Sequence, residues 1–165
     1  PAPCRKAIKD ALKVMMSGTE DEMIDFIDQF RKKFRSLPPE EISFPRTVSD
    51  VVKYKGRNAI YEKGTPIHAR GSLLFNHHVK RLGLEGKYSL IGNGEKVKFC
   101  YLRSPNPIHE NVMSFIQDFP REIGIEKYID YDLQFEKSFL DPLKIILDVI
   151  QWNVEKTASL ESFFS

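Results

Sequence analysis

Two apolar stripes at helical period, parted by a single break, constrain the fold of this chain most. Ala7, Ile8, Ala11, Leu12, Met15 and Met16 recur at i, i+1, i+4, i+5, i+8 and i+9, which places them on one side of a helix. Lys6, Lys9, Asp10 and Lys13 lie off that side. Ser17-Gly18 ends the first helix, with the glycine expected to supply a left-handed turn. Thr19 and Glu22 then form a capping box, and Glu20 and Asp21 suit the positive end of the next helix dipole. Met23, Ile27, Phe30 and Phe34, with Phe26 beside them, make the second stripe. Arg31, Lys32, Lys33 and Arg35 occupy its last turns, where cations complement the dipole, and Leu37-Pro38-Pro39 stops it. The two segments predict an antiparallel helical hairpin.

Further along, residues 40–71 read as irregular, with at most short strands or turns. A helix is predicted from Ser72 to about Leu82, because Leu74, Phe75, Val79 and Leu82 share a face and Gly83 follows. Tyr88–Ile91 and Val97–Leu102 flank Gly92-Asn93-Gly94 and predict a β-hairpin. Val112–Ile116 reads as a further strand. From about Ile125 to Trp152 the period is helical again, through Tyr128, Tyr131, Phe135 and Phe139 into Leu143, Ile146, Leu147 and Ile150. Pro142 falls inside this run and predicts a kink, or a restart capped by Asp141. The expected fold class is α+β. A mostly helical base, made of the N-terminal hairpin and a long C-terminal helix, carries a small β-containing tip.

The chain's size fits one domain, or a domain with a smaller lobe. No apolar run reaches membrane-spanning length, and the N-terminus lacks a signal-peptide pattern. Cys4 and Cys100, with no CxxC, argue against a disulfide framework or a cysteine-rich zinc site, so a reducing cytoplasm is the simplest compartment. The chain opens Pro1-Ala2-Pro3 without an initiator Met, which fits either Met removal or a piece of something longer.

The formal charge of +2 hides a strong partition. Residues 46–103 hold twelve Lys/Arg against four Asp/Glu, a local +8, while the remainder holds thirteen against nineteen, a local −6. A basic middle between acidic flanks suits a polyanion better than the whole-chain charge implies. The centre of this partition is Lys53–Gly71. It packs Lys53, Lys55, Arg57, Lys63 and Arg70, two tyrosines and three glycines into nineteen residues. It has no continuous apolar period, so it is not expected to be buried. Cations free to reach, aromatic rings between them and glycines that let backbone approach suit a phosphate backbone. A solvated basic loop is the plainer reading of the same composition.

Chemistry-bearing motifs are missing. His68, His77, His78 and His109 show no H-E-x-x-H and no Cys/His cluster, and His77 and His78 point about 100° apart on a helix, so they do not chelate one metal together. Asp130 and Asp132 sit in a charge-mixed helical context and read as a solvated face. There is no G-x-S-x-G or Walker A motif, and Gly92-Asn93-Gly94 reads as a turn. No catalytic residue and no metal site are assigned. A basic segment without an acid/base set points to binding.

At this segment a resemblance enters. Lys53-Tyr54, then Thr65-Pro66-Ile67-His68-Ala69-Arg70-Gly71, then Phe75-Asn76, resemble the thumb of family B DNA polymerases of T-even-type bacteriophages. Further matches follow in order: Gly94–Phe99, Asn106-Pro107, Tyr128–Tyr131, Phe135–Phe139 and Pro142-Leu143, the last three resembling that family's C-terminal thumb helix. Ala158–Phe164 resembles the tail by which those polymerases bind their sliding clamp. The resemblance spans essentially the whole chain.

It implies a thumb over residues 1–155, either alone or with its first residues forming the end of the palm, and a clamp-binding tail over 156–165. The exonuclease and palm carboxylates and the fingers have no match, so the chain is expected to lack catalysis of its own, and the Mg ions belong to the absent palm. No cofactor is expected in this chain. The implied origins are an excised domain or the C-terminal product of a split polymerase gene. The implied partners are primer–template DNA, a polymerase fragment carrying exonuclease, palm and fingers, and the sliding clamp, with no membrane, in the cytoplasm of an infected bacterium. The DNA-contact set carried over is Lys53, Tyr54, Lys55, Gly56, Arg57, Lys63, His68, Arg70, Asn76 and Lys137. The clamp-contact set is Leu160, Phe163 and Phe164. The alternatives are a stand-alone nucleic-acid-binding replication accessory protein, which explains the basic middle but not the ordered motifs, and a small metal- or histidine-dependent nuclease.

Overall fold

The structure is a computed structural model, and residues 1–152 of it are described. The elements, in chain order, are α1 (Ala2–Ser17), α2 (Glu20–Arg35), α3 (Pro39–Ile42), β1 (Phe44–Val48), α4 (Ile67–Arg81), β2 (Glu95–Tyr101), β3 (Val112–Phe115), α5 (Tyr131–Phe135) and α6 (Asp141–Val149). The fold is α+β, as predicted. The chain divides into two compact units, one made of Pro1–Ile42 with the residues from Tyr131 onward, the other of Ser43–Asp130.

The first unit contains the helical hairpin. Thr19 Oγ1 accepts from the Glu22 amide at 3.2 Å, the capping bond that the Thr19/Glu22 spacing predicts. Met23, Ile24, Ile27, Phe30 and Phe34 are buried on α2. The stripe on α1 is narrower than its sequence implies: Cys4, Ala7 and Ala11 are buried, Ile8, Leu12 and Met15 are half-buried, and Met16 is 84% exposed. Small residues therefore make the close contact, and the larger ones lie along its margin.

Gly18 also corrects an expectation. It is extended (φ −111°), not left-handed. A Cβ there would lie 2.8 Å from the Val14 carbonyl oxygen and 2.8 Å from a Glu22 carboxylate oxygen, so crowding between the two helix ends, and not handedness, calls for glycine.

The C-terminal segment becomes a continuous helix only at Tyr131. Residues 126–128 form a 3-10 turn after Gly124, which is left-handed at φ +82°. A π-helical turn at Glu136–Leu140 then separates α5 from α6. Pro142 has no N–H for the carbonyl of Ser138 and crowds that turn, and a wider turn just before it absorbs the mismatch. The expected interruption at Pro142 is thus a π-bulge, and the helix ends at Val149, short of Trp152.

The stripes meet as an aromatic cluster. Phe30 lies 4.8 Å from Phe139 and Phe34 5.3 Å from Phe135 between ring centroids, both edge-on. Tyr131 Oη donates to the Leu37 carbonyl at 2.6 Å, and Gln134 Nε2 to that of Ile42 at 2.9 Å, tying the exit of the hairpin to α5.

The second unit is a three-stranded antiparallel sheet, order β1-β2-β3, with α4 packed on it. Phe44 pairs with Phe99 and Val48 with Glu95, while Phe99 also pairs with Ser114 and Cys100 with Met113. The predicted hairpin across Gly92-Asn93-Gly94 is not formed, because residues 88–91 are not a strand and β2 pairs instead with β1 and β3. Side chains capture that backbone: Asn76 donates from Nδ2 to the Ile91 carbonyl at 2.9 Å, and its Oδ1 accepts from the Ile91 amide at 2.7 Å.

Helix α4 begins at Ile67, five residues before the predicted start, so the end of the basic segment is built into the core. Ala69 is 2% exposed and Gly71 is buried. A Cβ on Gly71 would collide with the Ser114 hydroxyl and come within 2.9 Å of the Ser114 amide nitrogen, so glycine is what lets the helix lie this close to β3. Ser114 Oγ and Ser72 Oγ both donate to the His68 carbonyl, at 3.0 and 2.8 Å.

Gly71→Ala is expected to cost about 1–3 kcal/mol by overpacking. Gly92→Ala, where a Cβ meets nothing closer than 3.6 Å, is expected to stay within about 0.5 kcal/mol. Urea denaturation of the two variants measures the difference.

Candidate nucleic-acid interface

The basic segment before α4 is a hydrogen-bonded projection. At its entry Asp50 Oδ1 accepts from the Lys53 amide at 2.9 Å, opening the 3-10 turn Val52–Tyr54. Asn93 Oδ1, from the turn before β2, accepts from the amides of Val51 at 2.6 Å and Val52 at 3.3 Å. Lys55 and Tyr61 form an antiparallel bridge, and the Glu62 amide donates to the Tyr54 carbonyl at 2.8 Å. The loop between them is folded tightly, since a Cβ on Gly56 would collide with the Ala59 carbonyl. Gly64 is left-handed at φ +84°, with open space around it. These glycines thus have reasons inside the loop, whatever else approaches them.

Its exit is fixed by a carboxylate. Tyr61 Oη donates to Glu110 Oε1 at 2.8 Å, and the Arg70 guanidinium lies 3.8 Å from Glu110 Oε2 and 5.7 Å from the Tyr61 ring centroid. Glu110 is held by a loop that Asn106 staples: Asn106 Nδ2 donates to the carbonyls of Arg103 and Glu110, and its Oδ1 accepts from the Ile108 amide. No sequence signal marks Glu110, because its partners are forty and more residues away. Asn93 was likewise invisible as a ligand of the Val51 and Val52 amides, whereas Asp50 serves Lys53 only three residues on, a local pattern open to sequence reasoning.

The residues of the DNA-contact set therefore separate. Lys53, Lys55, Arg57 and Lys63 are exposed, and among the described residues none of the four enters an ion pair. Lys53 Nζ lies over the half-buried Tyr54 ring at 5.4 Å. Arg70 is paired with Glu110, so its charge is balanced within the fold. Asn76 bonds the main chain of Ile91. His68 is half-buried on the first turn of α4, and burial, reinforced by Arg46, lowers its pKa and disfavours its charged form. Lys137 is exposed but lies in the first unit, whereas the other nine lie in the second. Leu160, Phe163 and Phe164 lie outside the described residues.

Among the described residues no group of three His, Cys, Asp or Glu side chains is placed to hold a metal ion, and no helix is long and apolar enough to cross a membrane. Asp132 is paired with Arg35 at 2.8 Å on the surface of the first unit.

A basic loop braced on a small antiparallel sheet is the class of site these residues make. No family model matches the chain. It is 27% identical over a 168-residue alignment, covering 99% of its length, to the DNA-directed DNA polymerase of Enterobacteria phage T4. It is also 27% identical over 169 aligned residues to the DNA-directed DNA polymerase of Escherichia phage RB69. In both cases the chain spans only 18% of the polymerase. The similarity runs along nearly the whole chain, as the ordered motifs predict, and supports reading it as a segment of a T-even-type family B DNA polymerase.

His78, on the inner side of α4, gives a pH prediction. It is 7% exposed, accepts from Arg81 Nε at its Nδ1 (3.1 Å), and leaves Nε2 without a partner. Burial, with His77 and Arg81 nearby, lowers its pKa from 6.5 to about 4. The unfolded chain therefore takes up this proton first. Stability is expected to be fully present above pH 6.5 and to fall as pH drops towards about 4, with a slope of up to one proton. Chemical denaturation across this range should show a shallower fall in His78→Gln. An unchanged slope would contradict it.

Proposed function

We propose that this chain is the thumb of a T-even-type family B DNA polymerase and that it grips primer–template duplex through the sugar–phosphate backbone. The observation that carries the reading is the loop of Lys53, Lys55, Arg57 and Lys63, four exposed cations without ion-pair partners among the described residues, on a braced frame, in a chain similar to phage polymerases along 99% of its length. A polymerase must hold new duplex while the primer end advances, so its grip must ignore sequence, and contacts to phosphates meet that need. Tyr54 lies between Lys53 and Lys55, where its ring reaches the sugar edge. Arg70 supports the loop from within through Glu110 and Tyr61.

In this reading the chain supplies no catalytic group. Metal-binding carboxylates and nucleotide-binding fingers belong to the rest of the polymerase, with which the thumb works in DNA replication. The margin of the α1 stripe, where Met16 is 84% exposed, is the surface offered to that palm-bearing part. The segment 156–165, through Leu160, Phe163 and Phe164, tethers the polymerase to its sliding clamp, a reading supported by the resemblance of Ala158–Phe164 to the polymerase tail.

If the four loop cations each neutralise one phosphate, log affinity for duplex should fall against log salt with a slope of about −3.6. Removing one cation, as in Arg57→Gln, should bring the slope about 0.9 closer to zero, and equally for unrelated duplex sequences. Fluorescence anisotropy with two duplexes from about 50 to 200 mM salt measures this. A slope near zero would contradict the reading.

A further inference from the structure

The basic loop encloses more than its outer face. Between its inner side, α4 and the turn before β2 lies a cavity of about 600 Å³, within the range of sites that take small molecules or peptide anchors. Its walls are aliphatic: Val51, Ile60, Leu73, Leu90 and Ile91. Lys55, Arg57 and Lys80 line it from two sides, and none of its lining residues is acidic or carries an aromatic ring other than the imidazole of His77. Two aliphatic residues at its edge are left in solvent, Val52 at 72% and Leu90 at 37% exposure. The walls are held in advance, Val51 by Asn93 and Ile91 by both polar atoms of Asn76, so an occupant has little order left to impose.

We propose that this cavity docks an acidic peptide segment of a partner protein, which inserts an apolar side chain between the aliphatic walls and sets flanking carboxylates against Lys55, Arg57 and Lys80. The lining decides between occupants. A nucleobase gains binding by stacking on an aromatic face, and the walls offer no Phe, Tyr or Trp for it. An apolar side chain needs only aliphatic contact, and each such anchor contributes through the area it takes out of water. Three cations with no acidic residue among the described lining give such a peptide its charge complement. Lys55 and Arg57 belong both to this cavity and to the proposed duplex grip, so peptide and duplex compete. That competition, unlike the docking itself, rests on the thumb reading.

The probe is a fluorescein-labelled hexapeptide of four aspartates followed by leucine and phenylalanine, titrated with the whole chain and read by anisotropy. Saturable binding is expected, weakened about tenfold or more by Val52→Glu and by Lys80→Glu, and abolished when serines replace leucine and phenylalanine in the peptide. Val52 and Lys80 are exposed, so both variants keep the core, and a melting curve checks this. Lys63→Glu, outside the cavity, should leave peptide affinity unchanged. No saturable binding, equal binding by the serine peptide, or indifference to Val52→Glu and Lys80→Glu would overturn the docking site. So would dAMP displacing the peptide in a Val52-dependent way, which would make the cavity a nucleotide site. Lys63→Glu separates the two readings: if it leaves duplex affinity unchanged the grip fails, and the peptide result still stands or falls by itself.

Discussion

The close approach of α4 to β3 at Gly71 is the contact on which the second unit depends. With no Cβ in the way, the Ser114 hydroxyl reaches the His68 carbonyl in the first turn of the helix, where it is joined by the Ser72 hydroxyl. The helix is thereby seated on a fully buried strand, and Leu74, Phe75 and Val79 are carried into the core with it. The exit of the basic loop follows from that seat. Arg70 is brought to Glu110, Tyr61 is brought to the same carboxylate, and the loop that begins after Val51 has a fixed place to end. A chain with a bulkier residue at this contact would lift the helix and slacken the loop.

Local rules made the first unit readable. Its hairpin follows from two stripes, a Thr19/Glu22 cap and a Pro-Pro stop, all decided within a few residues of one another. The aromatic residues at Phe135 and Phe139 also repeat at helical spacing, so their meeting with Phe30 and Phe34 needs no unusual contact. What escaped was set by distant partners. Ile67–Gly71 lacks an apolar period because its buried positions, Ala69 and Gly71, are small residues used for closeness and not for bulk. Residues 88–91 read as a strand only because they precede a Gly-Asn-Gly turn and an alternating run, yet Asn76 takes the main chain of Ile91 and the sheet finds its partner in Phe44–Val48. That strand was hidden by Pro45, which is tolerated because β1 lies at the edge of the sheet.

The candidate site divides in the same way. Exposure of Lys53, Lys55, Arg57 and Lys63 was legible, since a basic run with glycines and no apolar period has no means of burying them. The roles of Gly56, Arg70 and Asn76 were not, because the atoms they meet come from elsewhere in the loop, from Glu110 and from Ile91. His68 is a further case that composition does not show: partial burial beside Arg46 lowers its pKa and so disfavours its charged form. The result is a loop whose outer surface is cationic, whose inner surface closes an aliphatic cavity, and whose ends are bound to the sheet. That arrangement suits a surface that must meet a phosphate backbone without reading its sequence.

Hydrogen–deuterium exchange with and without a primer–template duplex tests the central claim most directly. The account predicts slowed exchange at amides 52–63, the projecting loop, with α4 protected in both states by its packing on the sheet. Protection confined to α1 and α2, with the loop exchanging at the same rate whether or not duplex is present, would contradict it.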